Sequence, residues 1–244
     1  MKQGWKTKGS HGEIVWLTKR KELFMKRILL ILCSFLFILT SSTTFALTID
    51  ATVTADNHYG LYFGSGDGSS ITFVGRNETA TGGSAGTYNW SVAEIYNFNA
   101  NEGDYIYIAA WSDDSVAQGW IGQFLTGTSS ILSNTSEWEV ALTFQDLGTN
   151  SPAPTEASLG SEIATAIWNP VTNSIDHGSS PWGWVAGISS DADWIWGSSL
   201  TPGSNYGEYQ IFRTQVNAPV PEPATMMLFG IGLLGLAGVS RRKK

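Results

Sequence analysis

The chain has 244 residues, a formal net charge of −7 and a single cysteine, so no disulfide framework can hold it together. Its basic residues gather near the two ends. Between residues 47 and 218 only Arg76 and Arg213 stand against 18 carboxylates, a formal charge of −16, which excludes nucleic acid and anionic lipid surfaces as partners of this region.

Residues 1–24 are polar and basic and show no period. Lys19-Arg20-Lys21-Glu22 can be written wholly in purine codons just ahead of Met25, as a translated ribosome-binding site would read. Met25 is therefore the expected start, and residues 1–24 an upstream extension. Residues 25–46 read as a secretory signal peptide. Met25-Lys26-Arg27 is the basic region, Ile28 to Leu39 the apolar stretch, and Thr44-Phe45-Ala46 the small-x-small site for signal peptidase. The apolar stretch is too short for a membrane span of ~20 residues.

The body, 47–218, holds nine tryptophans and no Lys or Cys, with Gly, Ser, Thr and Asn between. "LTIDATVTA" (47–55) alternates apolar and polar, the mark of a half-buried strand. "HYGLYFG" (58–64) and "ITFVG" (71–75) flank the turn "GSGDGSS", in which Asp67 is a turn residue. Further strands are predicted over 91–98, 105–111, 119–124, 137–144 and 208–216. Pro152 and Pro154 mark a loop, and Thr155 can cap a short helix. Short strands between turn clusters predict one all-β domain, a β-sandwich or jelly roll. "TVTADNHYGLYFGSGDG" (52–68) and residues 90–124 resemble the galactose-binding-like jelly rolls of bacterial surface proteins. That resemblance implies the fold and carries no binding residues over.

Reactive chemistry is sparse. The body has two histidines, His58 and His177, and no hydrolase, zinc or phosphate-loop motif. No cofactor is expected. Asp113-Asp114 and the Asp191-x-Asp193 pair are candidate oxygen ligands for calcium, though neither has an EF-hand pattern. "SPWGWVAG" (180–187) and "DADWIWGSS" (191–199) each set two tryptophans two apart, a spacing that puts both rings on one face of a strand. Trp182, Trp184, Trp194 and Trp196 are thus either core or a platform for sugar rings.

Residues 219–244 close the chain with Val220-Pro221-Glu222-Pro223, a 17-residue uncharged run over 224–240, and Arg241-Arg242-Lys243-Lys244. A helix of that run reaches ~25 Å, slightly short of a bilayer core. The terminal basic cluster stays cytoplasmic by the positive-inside rule, so the body lies outside, on a single-pass inner-membrane intermediate. The three-part arrangement resembles the PEP-CTERM sorting signal of Gram-negative bacteria. The resemblance implies processing near Pro-Glu-Pro by an exosortase, and delivery to the cell surface or beyond. The expected function is that of a non-enzymatic matrix protein associated with exopolysaccharide. A carbohydrate-binding module and a secreted glycoside hydrolase are the alternatives.

Overall fold

The computed structural model describes residues 46–77, 90–112, 117–127, 129–147, 151–197, 208–217 and 229–230. The proposed signal peptide up to Phe45 and almost all of the sorting segment lie outside them, as do Asp113 and Asp114. Among the described residues no helix is long and apolar enough to cross a membrane.

Two antiparallel sheets form a sandwich. The first contains β1 (Ala46–Asp56), β4 (Glu94–Asn101), β6 (Gly119–Thr126), β10 (Asn173–Asp176) and β11 (Asp193–Trp196), in the order β10-β11-β6-β1-β4, with β7 (Ser129–Leu132) also paired to β6. The second contains β2 (His58–Gly64), β3 (Ile71–Arg76), β5 (Tyr105–Trp111), β8 (Glu139–Asp146), β9 (Asn169–Pro170) and β12 (Glu208–Gln215), in the order β3-β2-β5-β12-β8-β9. The expected all-β sandwich is thus the observed architecture. Strand ends differ by a few residues: the strand expected at 91–98 runs over Glu94–Asn101, because its pairing with β1 continues to Asn101 opposite Ala46.

Alternation decides what each strand buries. Ile49, Ala51, Val53 and Ala55 of β1, Leu61 of β2, Ile106 and Ile108 of β5, and Phe212 of β12 point between the sheets. Trp120 of β6 fills the centre, edge-on to Trp138 at 4.7 Å and to Phe212 at 5.5 Å. The opposite parity of the second sheet is buried as well. Tyr62, Tyr107, Ala109, Trp111, Tyr209 and Ile211 pack under Leu159 and Ile163 of the helix α1 (Glu156–Thr165). Thr155 caps that helix as expected, its Oγ1 accepting from Ser158 N at 3.2 Å. At the β2–β3 turn the Gly68 and Gly160 backbones touch: a Cβ on Gly68 would lie 2.3 Å from the Gly160 carbonyl oxygen. Asp67 is a turn residue in fact, its carboxylate accepting from both the N–H and the hydroxyl of Ser69. Those bonds hold it at about 2.

Both described ends of the body lie at one end of the sandwich. Ala46 pairs with Asn101, and Val216 exchanges backbone hydrogen bonds with Gly103 and Asp104 in the turn after β4. The 11 residues of β1 then carry the chain some 33 Å to the other end, at ~3.3 Å per residue.

Candidate functional site

Part of the outer face of the first sheet, around β6 and β11, is covered by a loop. Between β10 and β11 the backbone runs through a series of turns over 177–192. Ile121 of β6 and Trp194 of β11 meet Trp182, Val185, Ile188 and Ala192 beneath this loop. Trp182 stacks on Trp194 with ring centres 4.4 Å apart and planes at 17°, and its Nε1–H donates to the Asp56 carboxylate at 2.7 Å.

His177 organises the loop. Its Nε2 accepts from Val185 N at 2.9 Å, so its proton sits on Nδ1, which donates to Ser189 O at 2.8 Å. The ring is 5 % exposed and spends both nitrogens within the loop, which leaves neither for a metal. Gly183 N donates to Ser179 O, and Gly178 N donates to Gly183 O. Gln123 of β6 clamps the far side, donating to Gly187 O and accepting from Ser189 N.

Trp184 sits on top of this scaffold and is 67 % exposed. Its ring lies over Gly178 and against His177, with the His177 and Trp184 centres 4.7 Å apart. Gly178 is required twice over: its φ is +90°, and a Cβ there would stand 2.4 Å from Trp184 Cε2.

The four tryptophans of the sequence motif therefore separate. The stretch holding Trp182 and Trp184 is a loop rather than a strand, so the two-residue spacing sends one ring inward and the other outward. Trp194 and Trp196 do lie on a strand, and both are buried, Trp194 beneath the loop and Trp196 against Phe212 between the sheets. A flat face of four rings does not form; Trp184 alone of the four is offered to solvent.

The carboxylates also sort by position. Asp191 is exposed on the loop, and Asp193 pairs across the ladder with Asp176. Burial first, and then the Asp176 charge, raise the Asp193 carboxyl above its ordinary value. Among the described residues no group of three or more His, Cys, Asp or Glu side chains could hold a metal ion. Glu94 lies inside the sandwich edge, its Oε2 accepting from Tyr59 OH at 2.7 Å and from Tyr96 OH at 2.8 Å.

Sequence reading missed a groove of about 510 Å³ at the end where the body's termini lie. Arg213 sits beside it, bonded to Glu139 at 2.7 Å, with its guanidinium 3.9 Å from the Trp168 ring centre and 4.9 Å from that of Tyr105. No sequence spacing links Tyr105, Glu139, Trp168 and Arg213; the β5-β12-β8-β9 pairing, with Trp168 just ahead of β9, brings them together.

Beyond Asn217 the sequence itself decides. Residues 219–243 match the model of the PEP-CTERM protein-sorting motif. The chain carries a PEP-CTERM sorting signal. It is thereby marked as an exosortase-sorted protein exported to the cell envelope or surface. Pro221-Glu222-Pro223 and the closing Arg241-Arg242-Lys243 fall within the match. No curated protein and no solved structure matches the chain. The sorting match covers the tail, residues 219–243, and none of the body.

Proposed function

We propose that this is a non-enzymatic component of the extracellular matrix, associated with exopolysaccharide and needing no cofactor. The sorting motif at 219–243 carries the reading, because it supports export to the cell envelope or surface. In the proposed sequence of events the signal peptide is removed after Ala46. The apolar run over 224–240 then holds the chain in the inner membrane until exosortase cuts near Pro223. The body's make-up suits that destination. It has no thiol to oxidise, it is strongly acidic and so stays soluble, and its carboxylates are spread over separate elements. Glu94 is held by two tyrosines and Glu139 by Arg213.

Deleting the exosortase in the native host and fractionating the culture tests this. The wild-type host should place the body in the matrix fraction, released together with polysaccharide. The deletion should leave it in the membrane fraction. Equal matrix recovery from both strains would contradict the assignment. So would turnover of a glycoside by the purified protein that is lost on changing one carboxylate.

A further inference from the structure

We infer that Trp184 is a preformed stacking site for an uncharged polysaccharide, an inference that rests on the matrix reading above. The observation is one of contrast. Trp111, Trp120, Trp138, Trp182, Trp194 and Trp196 are all buried, whereas Trp184 keeps two thirds of its surface in water. Trp90 and Trp168 are half-buried, so among the described tryptophans Trp184 is the one offered most fully to solvent.

The ring is also held. Gly178 supports it at a distance only glycine permits, and the buried His177 ring braces its side. Both His177 nitrogens are tied to the same loop, and Trp182, two residues away, is anchored to Asp56. A ring fixed before the ligand arrives loses little freedom on binding, which is the condition for a weak stacking contact to give useful affinity.

Charge selects the ligand class. The body carries a formal charge of −16 between residues 47 and 218, and Arg213 is already paired with Glu139. A polyanion is repelled by that field, whereas an uncharged sugar ring can lay its C–H face on the indole at no electrostatic cost. Position agrees as well. Trp182 is tied to Asp56 at one end of β1, while Ala46 and Val216 lie at the other. The loop is thus anchored at the end of the sandwich away from the one at which the chain continues to its sorting motif.

The test is affinity electrophoresis of the full chain in mild detergent. The gels contain galactomannan, hydroxyethyl cellulose, alginate or polysaccharide extracted from the host's own matrix. Trp184→Ala should weaken retention by a neutral polymer about tenfold with no change in melting temperature, whereas Trp184→Phe should keep most of it. Alginate should retain neither form. Retention of Trp184→Ala equal to wild type, or retention by alginate alone, would overturn the inference. The two readings fail differently. If the host extract retains both forms equally, the stacking site falls and the matrix reading stands. If it does not retain wild type at all, the matrix reading falls.

Discussion

Both sheets of the sandwich bury part of their outer faces, and they do so by opposite means. The second sheet is covered by a regular helix that needs only Leu159 and Ile163 as apolar anchors. The first is covered by the irregular 177–192 loop, which packs Trp182, Val185 and Ile188 against Ile121 and Trp194. A helix satisfies its own backbone and so can be anonymous. A loop must find a partner for each buried polar group, and His177 and Gln123 serve here. The loop's turns also let neighbouring residues face opposite ways. That is how Trp182 closes the core while Trp184 faces solvent. The lesson is that a loop cover can seal a sheet and present a side chain at once.

The largest expected effect tests whether the loop is a true cover. Trp194→Ala removes the ring on which Trp182 stacks and should cost about 3–5 kcal/mol in chemical denaturation. A loss under about 1 kcal/mol would mean that the loop is loosely laid on the sheet rather than packed into it.

The two faces should also answer acid differently. His58 lies on the outer parity of the second sheet, stacked on Trp111 at 5.2 Å. Burial, and then the Arg76 charge, lower it from 6.5 to about 4. A lowered histidine favours the fold above its ordinary value and withdraws that support as pH falls. About 2 kcal/mol should therefore be lost between pH 6.5 and pH 4, visible in denaturation midpoints. Flat stability across that window would contradict the assignment.

Gly178→Ala should cost ~1–3 kcal/mol, since it adds strain at a left-handed position and pushes on Trp184. It should also make tryptophan fluorescence more accessible to acrylamide. An unchanged melting temperature and quenching would show that the shelf is not rigid.

The smallest effect has the reverse sign. Asp193 faces Asp176 across β10–β11, and its carboxyl is raised. A raised carboxyl helps the fold below its ordinary value of 3.8, and the help is lost as pH rises. Asp193→Asn should therefore stabilise the protein at pH 7 by roughly 0.2–1 kcal/mol. The gain should disappear below pH 3.8. Destabilisation at pH 7 would mean that the carboxylate is used.

Much of the sandwich was legible because alternation is a local signal. β1 stands close to where period two put it, β2 and β5 where the turn clusters bounded them, and Thr155 caps α1 as its type and place suggested. The loop was not legible for the same reason. Two tryptophans two apart imply one face only if the backbone is extended. The turns around Gly178 and Gly183, both at positive φ, break that premise for Trp182 and Trp184, while Trp194 and Trp196 share a strand yet pack in different places, one beneath the loop and one against Phe212. β7, β9 and β10 are four residues or fewer, too short to show a period of their own. The site was legible as a list of residues and not as an arrangement. His177 looked like any turn histidine, and no spacing joins Arg213 to Trp168. The sorting motif is the opposite case, because its information is linear and survives without a fold.

The most direct test of the whole account is the intact mass of the protein recovered from the native host's surface or matrix. The account predicts a chain that begins after Ala46 and ends shortly after Pro223, without the apolar run or the basic cluster. A recovered chain that still carries Lys244 would contradict it, and the tail would then be a lasting membrane anchor.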